Sequence, residues 1–366
     1  GAGAQSINFV SELNATYGVA PLTLDGNSTS GLSVSYASSN PSVAEVNGSK
    51  LIIRGAGAAV VTASQGGNAN FDPAADRNAT VGVTRAQLTA SAQNASKAYL
   101  AALPALTYDL TGFVHDENAS VLTSSPTIST TATAASPAGS YAITVTGGSA
   151  ANYDLVHQNG VLVIGAGAQS INFVSELNAT YGAAPIDLDG NATSGLALSY
   201  ASSNPDVVEV NGSKLIIRGA GNAVVTVSQG GNANYDAAPE RNATVQVNKA
   251  TLTAAAQNAS KAYLAALPNL TYVLTGFVHD ENASVLSSSP SLATTATAAS
   301  PAGSYPITVS GGSAVNYDLA HQNGVLVIGA GAQSINFVSE LNATYGVAPL
   351  TLDGNATSGL SVSYAS

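Results

Sequence analysis

A repeat of 164 residues constrains this chain more than any other feature of its sequence. The segment Gly-Ala-Gly-Ala-Gln-Ser-Ile-Asn-Phe-Val begins at positions 1, 165 and 329. Aligning residues 1–164 with 165–328 leaves 29 differences, so 135 of 164 positions are identical. Near-identity at a fixed period is typical of proteins built from one unit in series. The sequence therefore predicts a tandem array, and the 38 residues that begin a third copy predict that this chain is a segment of a longer one.

Composition limits the classes of partner. Only 8% of the residues are charged, against about a quarter in an average globular domain. The 10 Lys and Arg against 21 Asp and Glu give a net charge of −11, which argues against binding nucleic acid or an anionic membrane through a basic patch. The chain has no cysteine, which excludes disulfides and thiolate metal sites. It also has no run of 18 apolar residues that would predict a membrane span.

Each repeat divides near Arg85, where residues 80–90 continue from one half into the next without a linker rich in glycine and proline. Halves of about 80 residues are large enough to fold but marginal alone, so contacts between neighbours are expected to stabilise them. The predicted segments are 1–85, 86–164, 165–249, 250–328 and a truncated start of a third copy, 329–366.

The first half reads as short strands separated by turn residues such as Asp25-Gly26 and Asn47-Gly48. Alternation is clean in Leu32-Ser-Val-Ser-Tyr36, with apolar residues on one face and serines on the other. About seven strands at close spacing predict a β-sandwich of the immunoglobulin type. The predicted strands are Ser6–Val10, Leu22–Leu24, Leu32–Tyr36, Val43–Val46, Leu51–Arg54, Val60–Ala63 and Thr80–Thr84.

The second half has the same character. Residues Ala95–Leu103 predict either a short helix that ends at Pro104 or an extended segment that packs Tyr99. The predicted strands are Leu88–Ala92, Leu106–Leu110, Ser120–Leu122, Thr127–Thr131, Tyr141–Val145, Tyr153–Leu155 and Val161–Ile164.

Several motifs carry a family resemblance. The first half, in Val34–Val46, Gly55–Gly57 and Ser64–Asp72, resembles the bacterial Ig-like (Big-type) modules of large surface proteins. The second half is similar to the module called MBG, in Ser96–Tyr99, Leu106–Gly112, Ser120–Leu122, Gly139–Val145 and Asn152–Asp154. The usual Tyr-Gly-Asp-x-Pro turn stands here as Tyr17-Gly-Val-Ala-Pro21, and Tyr99–Pro104 lacks both the glycine and the acid.

The resemblance implies the stalk or fibre of a microbial surface protein or adhesin and brings no catalytic residue with it. We therefore predict an all-β fold of tandem Ig-like β-sandwich modules, arranged in a rod-like array with a 164-residue two-module repeat. We expect an extracellular location at a cell surface.

Asparagine sequons are the strongest site signal. Fifteen of thirty asparagines stand in Asn-x-Ser/Thr, where chance in a chain this rich in Ser and Thr gives about six or seven. A sequon needs exposed backbone, and most of these fall in predicted turns. N-glycans would supply the solvation that the scarce charges do not. The predicted glycosylation sites are Asn14, Asn27, Asn47, Asn78, Asn94, Asn118, Asn178, Asn191, Asn211, Asn242, Asn258, Asn269, Asn282, Asn342 and Asn355.

Other constellations are weaker. His115-Asp-Glu-Asn118 and its mate at 279–282 predict either a Ca²⁺ or transition-metal site or, in the interpretation we prefer, a solvated loop. Lys50 and Lys97 are candidates for an isopeptide bond to an asparagine, and the alternative is an ordinary surface lysine. Serines are too abundant to indicate a nucleophile, and near-identical copies in series are atypical of an enzyme. We expect no catalytic residue, no metal and no cofactor.

The tyrosines recur at fixed repeat positions, for example Tyr36, Tyr200 and Tyr364. They are predicted to pack in the core or in tyrosine corners, and the alternative is an exposed platform that binds sugar.

Copies of the chain itself are the expected partners, together with covalent glycans. Near-identical neighbours risk exchanging strands, and a surface of low charge offers little repulsion between chains. This predicts a self-assembling filament, and the alternative is an adhesin stalk whose binding tip lies elsewhere. Residues 329–366 hold only the first strands of a sandwich, so we expect that they cannot close a core alone.

Overall fold

A computed structural model describes all residues 1–366 and confirms the predicted all-β fold class. The only helices are two single 3₁₀ turns, Ala119–Val121 and Ala283–Val285. The chain divides into two compact units, residues 1–169 with 230–237 and residues 170–229 with 238–366. None of its helices is long and apolar enough to cross a membrane. The boundaries predicted inside each repeat stay predictions.

The first half of repeat 1 is a sandwich of a four-stranded and a three-stranded sheet, with one further pair of short strands. Its strands are β1 (Ile7–Asn8), β2 (Glu12–Thr16), β3 (Leu22–Thr23), β4 (Asn27–Ser28), β5 (Ser35–Ser38), β6 (Ala44–Asn47), β7 (Lys50–Ile53), β8 (Gly57–Ser64) and β9 (Arg77–Thr84). The two sheets are ordered β2-β9-β8-β5 and β3-β7-β6, and β1 pairs with β4. Strand β2 runs parallel to β9, and the other pairs in these two sheets are antiparallel. Four plus three is the strand count of the smaller immunoglobulin-type sandwich.

The second half of repeat 1 forms one seven-stranded sheet. Its strands are β10 (Ala86–Ala92), β11 (Ala95–Ala98), β12 (Tyr108–Thr111), β13 (Leu122–Thr130), β14 (Gly139–Ala150), β15 (Tyr153–Gln158) and β16 (Gly160–Gly165). The sheet order is β11-β16-β14-β15-β10-β12, with β13 paired to β14. Two of its pairs, β10 with β15 and β11 with β16, are parallel.

Repeat 2 has the same strands except that the long strands β13 and β14 are each replaced by two shorter ones, and its second half is divided into sheets of four, three and two strands. Its first half contains β17 (Ile171–Asn172), β18 (Glu176–Thr180), β19 (Ile186–Asp187), β20 (Asn191–Ala192), β21 (Ser199–Ser202), β22 (Val208–Asn211), β23 (Lys214–Ile217), β24 (Gly221–Ser228) and β25 (Arg241–Asn248). Its second half contains β26 (Ala250–Ala256), β27 (Ala259–Ala262), β28 (Tyr272–Thr275), β29 (Leu286–Ser288), β30 (Ser291–Thr294), β31 (Gly303–Ser310), β32 (Ser313–Ala314), β33 (Tyr317–Gln322) and β34 (Gly324–Gly329).

One hydrophobic core runs across Arg85. Val81 and Val83 of β9 belong to the same buried cluster as Ala86 and Leu88 of β10. Alternate residues point inward along both strands, and the alternation changes phase at Thr84 and Arg85, which are both exposed. The two halves therefore share buried surface directly instead of meeting through a flexible connection.

The helical alternative for Ala95–Leu103 is wrong, and the extended alternative is correct. Ala95–Ala98 form β11, which pairs in parallel with Leu162–Gly165 of β16. The local alanine content favours a helix, but the backbone donors and acceptors of β16 are satisfied by a strand at this edge.

Some strand predictions need correction in position. Glu12–Thr16 was not predicted, because its residues have low strand propensity and only one large apolar side chain, yet it pairs with β9. Asn27–Ser28 was also missed, and the strand expected at Leu32–Tyr36 occupies Ser35–Ser38.

The residues of the third copy are mostly exposed. Ile335–Asn336 pairs with Asn355–Ala356, as β1 pairs with β4. These strands are β35 and β36. Tyr345 is fully exposed, whereas its equivalents Tyr17 and Tyr181 are each 6% exposed. The strands that cover those two tyrosines have no third counterpart among the 366 residues.

Candidate glycan acceptor sites and the joint within each repeat

All fifteen sequon asparagines are exposed in the structure. Their expected placement in turns holds only for some. Asn94 lies between strands and Asn118 caps a 3₁₀ turn, but Asn14, Asn27 and Asn78 lie within strands. Strand residues whose side chains point to solvent are as exposed as turn residues, because alternate side chains leave the sheet on opposite faces. Glycosylation itself stays a prediction.

Two of these asparagines accept a hydrogen bond from the backbone through the side-chain oxygen, and these bonds do not involve the nitrogen to which a sugar would be attached. The Asn94 Oδ1 accepts a hydrogen bond from the Val161 amide at 2.8 Å, and the Asn118 Oδ1 accepts one from the Ser120 amide at 3.0 Å. An N-linked sugar is bonded to Nδ2, so both contacts persist with a glycan in place.

A second site, which the sequence did not reveal, joins the two halves of each repeat through two tyrosines and one carboxylate. The Tyr17 hydroxyl donates to Glu117 Oε1 at 2.9 Å, and the Tyr153 hydroxyl donates a short hydrogen bond to Glu117 Oε2. The two rings meet edge to face with centroids 5.7 Å apart. We call these three residues the tyrosine–glutamate joint.

The backbone conformation of residues 114–118 directs the Glu117 carboxylate toward Tyr17 and Tyr153. His115 and Asp116 both have φ near +55°, the left-handed region that non-glycine residues rarely adopt. The Val114 amide donates to the Tyr153 hydroxyl at 3.0 Å, and Asn118 then caps the 3₁₀ turn. This left-handed turn reverses the chain between Val114 and Asn118, which directs the Glu117 side chain inward.

Burial and the carboxylate both oppose ionisation of the tyrosines. Burial, and after it the hydrogen bond to Glu117, raise the pKa of Tyr153 to about 12. The same causes raise the pKa of Tyr17. The two hydroxyl groups therefore stay neutral and donate to the carboxylate. A hydrogen bond to a carboxylate is charge-assisted and is stronger than one between two neutral groups.

Asn152 adds a second link between the halves. Its Oδ1 accepts a hydrogen bond from the Ala56 amide at 2.9 Å, across a sequence separation of 96 residues. Gly18 approaches the other half closely, since a Cβ built there would lie 2.6 Å from a methyl group of Val114. The backbone reaches this close contact at φ +97°, which glycine adopts without strain.

Repeat 2 reproduces the joint. Tyr181 donates to Glu281 at 2.9 Å, Tyr317 donates a short bond to the same carboxylate, and the rings are 5.6 Å apart. Burial together with the hydrogen bond to Glu281 raises the pKa of Tyr317 to about 12. The Asn316 Oδ1 accepts from the Ala220 amide at 2.9 Å.

The first unit also contains a contact at the Gly-Ala-Gly-Ala segment. Gly167 exchanges backbone hydrogen bonds with Asn234 and Asp236, at 2.9 and 3.0 Å. The Asn234 Oδ1 accepts from the Ala138 amide at 2.8 Å, and Tyr235 packs edge-on against Tyr99. The extended alternative for residues 95–103 predicts that Tyr99 packs against another side chain, and that side chain is Tyr235.

The weaker candidates are placed apart from one another. Glu117 and the His115 ring both contact Tyr17, whereas Asp116 is exposed, and no three His, Asp or Glu side chains are grouped so that they could hold a metal ion. The His157 Nε2 lies 2.7 Å from the Gly147 carbonyl oxygen. The Lys50 ammonium group donates a hydrogen bond to the Thr23 hydroxyl, as expected of an ordinary surface lysine.

Lys97 has a different environment from the one an isopeptide bond needs. Its ammonium group donates to the carbonyl oxygens of Ala98, Ala101 and Ala134 at 3.0 to 3.3 Å. Lys261 makes the same three contacts in repeat 2. These bonds hold together the turn that follows β11.

The tyrosine prediction is correct for the residues in the core. Tyr153 is 2% exposed, and the Tyr36 and Tyr141 hydroxyls donate to the backbone carbonyls of Gly26 and Pro137 at 3.0 and 2.9 Å. The Tyr141 bond reaches four residues upstream, as in a tyrosine corner.

The fold and its repeated joint define a tandem-repeat protein of β-sandwich modules. Residues 88–163 and 252–327 match the MBG domain of the YGX type. The second half of each repeat is therefore an MBG domain, as its motifs predicted. A search of curated protein sequences finds no match.

Solved structures that match this chain contain several domains in series from other proteins. Drosophila N-cadherin EC1-4 is 7% identical, with 87% of this chain and 98% of that chain covered at a TM-score of 0.24. Sidekick-1 immunoglobulin domains 1–5 are 13% identical, with 88% and 81% covered at 0.26. Titin domains I67–I69, in an E-to-A variant, are 9% identical, with 66% and 97% covered at 0.22. Similarity at this level carries no conclusion about function.

Proposed function

We propose that this chain is a non-enzymatic structural protein that forms an extracellular, N-glycosylated filament at a microbial cell surface. The observation that carries this proposal is the tyrosine–glutamate joint, which both repeats build with hydrogen bonds of the same length. Each repeat is thereby one packed unit, and a series of such units extends a protein without flexible linkers.

The exposed sequons support the glycan part of the proposal. A chain in which only 8% of the residues are charged has little electrostatic repulsion to keep copies apart in solution. Glycans on exposed asparagines are bulky and strongly hydrated, so they would solvate this surface and limit contacts between chains to bare faces.

A second candidate is the stalk of an adhesin, with the binding tip in another part of the protein. Most positions that differ between the repeats are mild exchanges, such as Leu22 to Ile186, and this pattern favours a stalk. A spacer needs only to keep its fold. The two candidates differ in whether chains contact each other.

Mass spectrometry of intact protein and glycopeptides, with negative-stain imaging of the same native sample, tests the proposal. We expect sugar on several of the fifteen asparagines and ordered fibres. Bare asparagines together with isolated rods would contradict the filament and leave the stalk. Fibres without sugar would retain the filament and remove the glycan part.

A further inference from the structure

Three of the 29 differences between the repeats fall together on one face of the fold. Ala58, Gly82 and Thr84 in repeat 1 become Asn222, Gln246 and Asn248 in repeat 2. All three substitutions add a side-chain amide, and all three lie on the exposed face of the four-stranded sheet β18-β25-β24-β21.

Strand register brings two of these amides beside a third. Gln246 of β25 is directly opposite Asn222 of β24 on one side and Asn178 of β18 on the other. Side chains directly opposite one another on neighbouring strands have Cβ atoms about 4.5–5.5 Å apart. Three amides therefore stand side by side across three strands, and we call them the amide row.

The same row in repeat 1 offers almost no functional groups. It consists of Asn14, Gly82 and Ala58. The Asn14 Nδ2 donates to Glu12 at 3.0 Å, whereas the side chains of Asn178 and Asn222 make no hydrogen bond within the protein. Gln246 makes one long contact of 3.4 Å to Asn248.

The amide row lines a shallow depression. The depression in repeat 2 has a volume of about 490 Å³, and its walls include Glu176, Ser203 and Thr244 besides the row. The equivalent depression in repeat 1 has about 360 Å³. A volume of several hundred Å³ is within the range of small-molecule sites.

The lining selects an uncharged, hydroxyl-rich ligand. Each amide presents a carbonyl acceptor and an NH₂ donor side by side, which matches the donors and acceptors of neighbouring hydroxyl groups. A single carboxylate, Glu176, disfavours anions, and a wholly apolar ligand is disfavoured because it would leave the three amides without hydrogen-bond partners, although Ala223, Val224 and Val245 also line the depression. Asn178 also begins the sequon Asn178-Ala-Thr180, so a sugar attached there starts inside the depression.

We propose that the amide row Asn178, Gln246 and Asn222 is a binding site for an uncharged pyranose sugar. The sugar comes either from the glycan attached to Asn178 itself or from a free or neighbouring oligosaccharide. The first source rests on the proposed glycosylation, and the second does not. An open site that holds about twelve non-hydrogen atoms binds with a dissociation constant of about 1 mM or weaker.

Saturation-transfer NMR on protein made in a host without N-glycosylation tests the site directly. Methyl glycosides of glucose, galactose, mannose and N-acetylglucosamine are the probes. We expect transfer to at least one of them. The double variant Asn222→Ala with Gln246→Gly, which copies repeat 1, should reduce the transfer at least fivefold. The reciprocal variant Ala58→Asn with Gly82→Gln should increase it, because it builds the row a second time.

Two results would overturn the proposal: no transfer to any of the four sugars, or transfer that the double variant leaves unchanged. Both variants are surface exchanges between residues already tolerated at equivalent positions, and thermal unfolding of each variant checks that the fold is intact. Failure of the glycosylation proposal does not affect this experiment, since the protein carries no glycan.

Exoglycosidase trimming of the native glycoprotein then separates the two sources. If the glycan on Asn178 occupies the row, its sugars are removed more slowly than those on Asn14, and Asn222→Ala with Gln246→Gly removes the difference. If the glycans on Asn178 and Asn14 are trimmed at equal rates while the saturation transfer persists, the amide row binds a free or neighbouring oligosaccharide instead of the glycan on Asn178. A bare Asn178 in the native protein gives the same assignment.

Discussion

The Glu117 carboxylate is the single residue on which the contact between the two halves of repeat 1 depends most. It accepts from Tyr17, which belongs to the first half, and from Tyr153, which belongs to the second. Removing one partner of a half-buried charge costs more than the hydrogen bond alone, because the charge keeps its desolvation penalty.

Replacing Tyr153 with Phe should lower the free energy of unfolding by about 2 kcal/mol, since a hydrogen bond to a charged group is lost while the ring stays packed. Urea unfolding measures the change. Tyr108→Phe is the matched control, because the Tyr108 ring is half-buried and its hydroxyl makes no hydrogen bond within the protein. Equal effects of the two variants would show that the joint contributes nothing specific.

The raised tyrosine pKa values predict a loss of stability at alkaline pH. The pKa of Tyr153 and of Tyr317 is about 12 in the folded protein, against 10.0 when unperturbed. Between those values the unfolded state has released the proton and the folded state has not, so stability falls as pH rises. The contribution is complete below about pH 10 and is lost as pH approaches 12.

Thermal unfolding from pH 9 to 12, with tyrosinate absorbance followed in parallel, measures this loss. We expect a melting temperature that falls above pH 10, and a smaller fall in a Tyr153→Phe, Tyr317→Phe variant. Complete ionisation of all fifteen tyrosines near pH 10 in a protein that stays folded would contradict the pKa values.

The turn that follows β2 brings the backbone of the first half into close contact with Val114 of the second half. Gly18→Ala should lower the free energy of unfolding by about 2–5 kcal/mol, because a positive φ costs about 1–2 and crowding against Val114 costs about 1–3. Gly31→Ala is the control, since Gly31 also has a positive φ, +78°, but has open space around its Cβ position. Equal losses for both would mean that the contact with Val114 relaxes freely.

At the scale of whole copies, identical sequence is buried in one place and exposed in another. Residues 338–347 repeat the sequence of 10–19, yet the third copy lacks the sheet that β2 joins in the first. In a protein made as residues 1–366, we expect amides of 340–345 to exchange with solvent at least about 100-fold faster than those of 12–17, because exchange follows the free energy of local opening.

Hydrogen exchange with mass spectrometry measures this difference. Peptides that extend past Ser28 or Ala356 distinguish the two copies, since these residues differ. Equal protection would contradict the exposure of Tyr345 and its neighbours in the structure.

The sequence by itself determined what depends on local pattern. The 164-residue period and the candidate acceptor asparagines follow directly from repeated segments and short motifs in the sequence. Most of the strands follow from alternation of apolar and polar residues, because the face on which a strand residue lies is set by a period of two. The identity of the MBG halves also follows from short motifs, and the family match bears it out.

Only the tertiary structure decided which distant residues meet. Glu117 is 100 residues from Tyr17 and 36 from Tyr153, and no local period relates them. Ala95–Ala98 and Glu12–Thr16 have weak strand propensity and are strands because a neighbouring strand offers unpaired backbone groups. The amide row is likewise set by register across three strands. Periodicity reports whether a residue is buried, whereas its partner is fixed by how the whole chain folds.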